Sequence, residues 1–164
     1  MKKLFKIKLF IPLVIAFLCW GILSSIAILT LKEENLQPHT GLVESVQLKK
    51  ESNPALYRSY KHNQLIFKLS NGEFRLRDQF DKFYFPIRKA IKTGDEITVY
   101  TLQGWRATLV FGLRNDIYLI KKNDETVFSI DSVKDRSTKE LIFFVIGTVV
   151  LLAISIYRRK RNIA

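Results

Sequence analysis

Two long uncharged stretches dominate the pattern of hydrophobic and polar positions along the chain. The first covers residues 9–31 and the second covers residues 141–157. As α-helices they would be about 34 Å and about 26 Å long, against about 30 Å for the hydrocarbon core of a bilayer. The rest of the chain is too short to bury two such helices in a soluble core. The pattern therefore predicts two transmembrane helices.

The sequence before the second stretch carries a helix-start signal. Ser137 and Glu140 have the spacing of a capping box, so a helix is predicted to begin there in water and then enter the lipid. At its other end, Arg158 and Arg159 are long enough to extend their charges to the headgroups.

Between the two stretches, the pattern changes to the short alternating segments that are typical of β-strands. A short helix is predicted at 87–92, opened by Pro86 and closed by Gly94. Six or so short antiparallel strands with one small helix suggest a closed or nearly closed β-barrel, because closure removes unpaired edges. The predicted elements are strands at 42–48, 96–101, 107–113, 117–121 and 126–130, and a hairpin at 64–77.

The hairpin is predicted from Asn71-Gly72, a pair that favours a type I′ turn. A two-residue loop at this point would pair Leu69 with Phe74 and Phe67 with Leu76. These four side chains would share one face, and Lys68 and Arg75 would lie on the other.

These elements predict an α+β membrane protein in which two transmembrane helices flank an extracytoplasmic β domain. Residues 32–140 form the segment between the helices. Its core is predicted at about 41–131, after a linker at the start and an exit segment at the end are set aside. Residues 1–8 and 158–164 are short basic tails.

The charges of the tails predict the orientation. The tails carry eight Lys/Arg and no acidic residue, and positive flanks are retained in the cytoplasm. Both termini are therefore predicted to lie on the cytoplasmic side of the plasma membrane, and the β domain on the outer side. Most of the net charge of +12 is then explained by the membrane orientation, and no nucleic-acid partner is expected. A cleaved signal peptide ending near Ser25-Ile26-Ala27 is the alternative for the first stretch.

Three motifs resemble a widespread bacterial membrane family of unknown function. They are "GLVESVQL" with Gly41, Val43 and Val46, the Asn71-Gly72 hairpin, and "KTGDEITVY" at 92–100. The resemblance implies a small OB- or SH3-like β-barrel held between two membrane helices in the bacterial inner membrane. It carries no catalytic residue. The chain departs from the family in having "TLQGWRATLVFG" after Tyr100 and a longer basic insert at 49–63.

The candidate chemistry is sparse, so an enzyme is not expected. His39 and His62 each stand alone in polar, loop-like sequence, and Cys19 falls inside the first apolar stretch. Two isolated histidines without a nearby cysteine do not make a zinc site. No catalytic residue, cofactor or metal is predicted.

An uneven distribution of charge along the chain suggests a contact surface. Residues 49–92 carry eleven Lys/Arg against four acidic residues, and "FDKFYFPIRKAIK" interleaves aromatic rings with cations. Such a mixture suits a membrane–water interface or an anionic envelope polymer. The alternative is that the rings fill the core and the cations solvate its rim. The candidate contact residues are Lys68, Arg75, Lys82, Arg88, Lys89 and Lys92.

Gly21 and Ser25 form a small-xxx-small pair that would allow close helix packing, while the oligomeric state stays open. The expected function is that of a non-catalytic membrane protein whose outer domain binds an envelope partner or an anionic surface. The alternative is a membrane-anchored immunity or inhibitor protein that neutralises a secreted toxin.

Overall fold

The computed structural model describes the backbone of residues 2–53, 60–110 and 115–161, and the side chains of residues 12–49, 63–77, 79–110 and 115–157. The chain divides into two compact units. The helical unit comprises Met1–Thr30 and Lys134–Ala164, and the β unit comprises Leu31–Val133. The predicted α+β class is confirmed.

The helical unit contains most of two long helices, α1 (Lys2–Leu29) and α4 (Ile130–Arg161). Both are long and apolar enough, by length and composition, to cross a membrane. The predicted start of the second helix at Ser137 is wrong, since Ser137 lies buried within α4. The helix begins earlier because Ser129 caps it: its Oγ and its carbonyl oxygen accept hydrogen bonds from the backbone N–H of Ser132 at 3.4 and 3.2 Å.

The β unit is built on a single sheet whose neighbouring strands are all antiparallel, in the order β3-β2-β1-β4-β5-β6. The predicted closed barrel is wrong, because β3 and β6 are the two edges of an open sheet. Across the described residues, β3 approaches the start of β5 through one isolated parallel bridge, from Arg75 to Asp116. The strands are β1 (Leu36–Asn53), β2 (Tyr60–Leu69), β3 (Gly72–Leu76), β4 (Glu96–Leu102), β5 (Ile117–Lys122) and β6 (Glu125–Phe128).

The predicted linker at residues 32–40 is largely strand. A 3₁₀ helix covers Glu33–Asn35, and β1 then begins at the buried Leu36, which pairs with Leu102. β1 is longer than predicted because it serves two partners. Its first part pairs with β4, and from Val43 onward it pairs with β2.

The predicted hairpin forms, and its side chains divide between the faces as expected. Phe67, Leu69, Phe74 and Leu76 are buried, but Phe67 pairs with Phe74 rather than with Leu76. The type I′ turn at Asn71-Gly72 is wrong because Asn71 does not adopt a positive φ.

Contacts with β1 explain this shift of register. The loop is Ser70-Asn71, whose polar groups hydrogen bond to Thr40 and Leu42 of β1 at 3.0–3.2 Å. A Cβ on Gly41 would lie 3.0 Å from Asn71 Oδ1 and from Ser70 Oγ, so glycine leaves room for the loop.

The predicted strand at 107–113 is wrong over its first residues, and residues 111–113 lie outside the described part of the chain. Helix α3 (Gly104–Leu109) occupies this position. Gly104 has a φ of +63°, a value that turns the chain sharply after β4 and that glycine adopts without strain.

The predicted helix near Pro86 is present, although it starts and ends earlier than expected. A 3₁₀ helix (Asp78–Phe83) leads directly into α2 (Tyr84–Ala90), and Gly94 lies in the following turn with a φ of +90°. This segment covers one face of the sheet. Phe80 and Phe83 pack their rings edge-on against Phe128 of β6, with centroids 5.3 and 5.4 Å apart.

Candidate functional site

The segment from the 3₁₀ helix through α2 and on to Lys92 presents four exposed cations together with one exposed aromatic ring. Within the described residues, none of the four cations has a carboxylate at ion-pair distance; Lys82 Nζ instead lies 4.8 Å from the ring centroid of Phe83. We call this set the basic surface: Lys82, Phe85, Arg88, Lys89 and Lys92.

Phe85 is 80 % exposed, whereas its helix neighbours Tyr84 and Ile87 are buried. The difference follows from helix geometry, because Tyr84 and Ile87 are three residues apart and share the face that packs on the sheet. The Tyr84 hydroxyl hydrogen bonds to the carbonyl oxygens of Asn63 and Leu76 at 2.8 and 3.0 Å. These bonds fix the rotation of α2, so the Phe85 ring is held in solvent.

One border of the basic surface is already neutralised. Asp95 accepts a bond from Lys122 Nζ and another from the backbone N–H of Lys92, both 2.6 Å long. The hydrogen bond from Lys122 is the largest cause of the lowered pKa of Asp95, followed by the bond from Lys92. The remaining acidic side chain described in the segment is Asp81, which is exposed.

Two predicted contact residues lie elsewhere in ion pairs. Lys68 on β2 is exposed but pairs with Glu44 at 2.7 Å, and the hydrogen bond that Lys68 donates to this carboxylate raises the pKa of Lys68. Arg75 on β3 bonds to the buried carboxylate of Asp116 at 2.6 Å. The structure therefore groups Lys82, Arg88, Lys89 and Lys92 on one segment and separates Lys68 and Arg75 from them.

A groove of about 550 Å³ lies on another part of the β unit. The start of β1 and the turn from β4 into α3 form its walls. Sequence reasoning missed it, because its described residues come from three separate stretches of the chain. Its described lining residues are Gln37, His39, Leu102, Gln103, Gly104, Ala107, Thr108 and Asn115.

His39 is not the solvated loop residue that its sequence context suggested. It lies on β1, where its Nε2 is 3.1 Å from the hydroxyl of Thr101 and its ring centroid is 4.9 Å from that of Phe74. Burial lowers the pKa of His39, which keeps the imidazole neutral at pH 7. The side chain of His62 lies outside the described residues.

The helical unit places both predicted packing residues in its interior. A Cβ on Gly21 would come within 2.6 Å of the Phe144 ring on α4, so glycine allows that ring to lie against the α1 backbone. Ser25 is also buried, and its hydroxyl donates to the carbonyl oxygen of Gly21 at 2.9 Å. Cys19 is exposed on α1.

The described residues contain no cluster of three or more His, Cys, Asp or Glu side chains that could hold a metal ion. Comparisons with protein-family models, with curated proteins and with solved structures find no match to this chain.

Proposed function

We propose that this chain is a non-catalytic, membrane-anchored protein whose β unit docks on an anionic lipid surface. The observation that carries the proposal is the exposed Phe85 ring among four cations without a carboxylate partner in the described residues. Cations attract anionic headgroups, and an aromatic ring inserts at the boundary between headgroups and acyl chains.

The exposure of α4 supports membrane anchoring. None of residues 141–157, the apolar stretch of α4, is buried, whereas the core helix of a soluble protein is mostly buried. Side chains such as Phe143, Ile146 and Val149 are left exposed along this helix. Apolar surface of this extent is stable when hydrocarbon covers it.

The tails support an orientation with both termini in the cytoplasm and the β unit outside. The four cations before the first apolar stretch and the four after the second are on the same side of a two-span protein. Positive flanks are retained inside the cell. We therefore place the protein in a bacterial plasma membrane, with its β unit facing the envelope.

The exposed ring favours lipid over an anionic polymer as the docking partner. A charged polymer would be recognised by the cations alone, and the 80 % exposed Phe85 would remain in water. A bilayer provides a partner for the cations and for the ring. Each cation near an anionic leaflet contributes about 1 kcal/mol to binding, and the ring gains apolar contact.

We also retain the family resemblance as a proposal, with an open OB-like sheet in place of a closed barrel. Two of its motifs have structural explanations here. Gly94 adopts a positive φ and Asp95 caps the same turn, while Gly41 leaves room for the β2–β3 loop. The role as an immunity or inhibitor protein stays a prediction from the sequence.

Lipid docking can be measured on the full chain in nanodiscs by replacing Phe85 with tryptophan in a Trp20→Phe, Trp105→Phe background. Brominated lipids quench an indole that enters the headgroup boundary. We expect strong quenching in discs that contain anionic lipid, and weak quenching in zwitterionic discs or at high salt, because salt screens exposed charges.

A matched pair of charge variants separates the basic surface from general electrostatics. Arg88→Gln with Lys89→Gln should shift the docked fraction about 30-fold towards the free state, since two cations contribute about 2 kcal/mol. Lys32→Gln with Lys68→Gln removes two cations that are paired with Glu34 and Glu44, and it should have little effect. Equal quenching in zwitterionic and anionic discs, or binding of soluble polyphosphate without lipid quenching, would contradict the proposal.

A further inference from the structure

We propose that the groove beside His39 is a binding site for a neutral saccharide. The groove lies within the β unit, and the inference does not depend on lipid docking. It rests on the shape of the groove, on the uncharged character of its described lining, and on unused hydrogen-bonding groups.

The groove has the size of a ligand site. Its volume of about 550 Å³ lies within the range of about 300–1,000 Å³ that small-molecule sites occupy. Gln37 and His39 line it from β1, and Gln103 and Thr108 line it from the β4–α3 turn and from α3. Regular elements hold these walls, so the site is largely formed before a ligand arrives.

The described lining contains no Asp, Glu, Lys or Arg, although 26 % of the chain is charged. His39 does not supply a cation at pH 7, because burial lowers its pKa. A charged ligand would therefore lose hydration without gaining a counter-charge from these residues, which is costly. Among the described residues, this lining favours a neutral ligand.

The polar lining groups offer both donors and acceptors. Asn115 uses its Nδ2 to donate to the carbonyl oxygen of Glu73 at 2.8 Å, which leaves its Oδ1 as a fixed acceptor. Among the described residues, the side chains of Gln37, Gln103 and Thr108 make no hydrogen bond to the protein. Sugar hydroxyls and N-acetyl groups both donate and accept, so they match this mixture of amides and hydroxyl.

An exposed aromatic ring on the same helix adds to this picture. Trp105 is 61 % exposed on α3, the helix that contributes Ala107 and Thr108 to the groove. Arg106 lies 4.8 Å from the Trp105 ring centroid. An exposed indole on a helix that lines a polar groove suits the apolar face of a sugar ring.

The test uses the full chain in nanodiscs and the neutral trisaccharide of N-acetylglucosamine. Saturation-transfer difference NMR detects weak binding from the acetyl methyl signals of the sugar, with empty nanodiscs as the blank. We expect saturable binding at concentrations up to about 10 mM.

Two glutamines on β1 provide matched variants. Gln37→Ala removes a lining group and should weaken binding about three- to tenfold, which is the loss of one neutral hydrogen bond. Gln47→Ala changes an exposed glutamine outside the groove and should leave the affinity unchanged. Circular dichroism of both variants verifies that each is folded.

Three results would overturn the assignment. One is the absence of a saturable signal with the trisaccharide. Another is equal loss of affinity in Gln37→Ala and Gln47→Ala. The third is saturable binding of a neutral peptide under conditions in which the trisaccharide does not bind.

Discussion

The side chain of Arg75 binds the side chain of Asp116, and the backbone of Arg75 binds the neighbouring Asn115. Arg75 Nε donates to Asp116 Oδ1 at 2.6 Å, and the backbone N–H of Arg75 donates to the carbonyl oxygen of Asn115 at 2.9 Å. Arg77 donates to the other carboxylate oxygen. The carboxyl group is only 1 % exposed, so these contacts tie the edge strand β3 to the start of β5. Arg75 therefore stabilises the fold and is not available as a surface contact.

Replacing Asp116 with asparagine should destabilise the β unit by about 3 kcal/mol. The change removes a buried negative charge that accepts hydrogen bonds from the guanidinium groups of Arg75 and Arg77, which is strongly unfavourable. Pulse proteolysis of the full chain in nanodiscs at increasing urea concentrations measures this loss.

The control is the same chemical change at an exposed position. Asp124 lies in the β5–β6 turn with a φ of +65°, a conformation that asparagine also tolerates. Asp124→Asn should leave the urea midpoint nearly unchanged. Equal midpoints for the two variants would show that the Asp116 carboxylate does not hold the sheet together.

Gly21→Ala should weaken the packing of α1 against α4 by about 1–3 kcal/mol, the usual cost of overpacking. The added methyl group would lie 2.6 Å from the Phe144 ring, which must move. Unfolding in sodium dodecyl sulfate, followed by Trp20 fluorescence in a Trp105→Phe background, reports on this contact.

Gly147→Ala is the matched control on the opposite helix. Its new methyl group would lie 3.4 Å from Leu18 Cδ2, which is close to ordinary van der Waals contact. This variant should unfold like the parent, and Phe144→Leu should partly restore the stability of Gly21→Ala. If the two alanine variants unfold alike, Gly21 has no special role in the helix contact.

The stability of the β unit should fall as the pH drops below about 6.5. Burial lowers the pKa of His39, so the unfolded chain binds this proton more tightly than the folded chain. Stability therefore decreases from about pH 6.5 down to the folded pKa and then levels off. Urea midpoints between about pH 7 and about pH 5 measure the effect, above the range in which most carboxylates titrate.

His39→Gln should flatten this pH dependence, because the group that gains a proton is gone. His62→Gln serves as the comparison and should retain the dependence of the parent chain. A parent whose urea midpoint stays constant over this range, or two variants with the same slope, would be incompatible with a half-buried, neutral His39.

The sequence predicted what depends on local periodicity. The two long apolar helices are present, and the alternation around residues 64–77 identified the buried face of the hairpin. The buried face is the same in the predicted and the observed register. Pairing Phe67 with Phe74 instead of Leu76 shifts the register by two residues, and such a shift leaves every side chain on its side of the sheet.

What the sequence did not predict depends on contacts between distant segments. The hairpin loop is fixed by hydrogen bonds to Thr40 and Leu42, and these outweigh the local preference of Asn71-Gly72 for a type I′ turn. Positive φ values at both central residues occur instead at Asn123-Asp124. The His39 groove was missed for the same reason, since its lining is assembled from residues far apart in the chain.

The account as a whole depends on a β unit that lies outside the cytoplasm between two membrane spans. In a Cys19→Ser background, single cysteines at Thr126→Cys in the β unit and at Lys6→Cys in the basic tail can be tested with a membrane-impermeant maleimide on intact cells. We predict labelling of Thr126→Cys on intact cells and labelling of Lys6→Cys only after permeabilisation. Labelling of Thr126→Cys that requires permeabilisation would contradict the account.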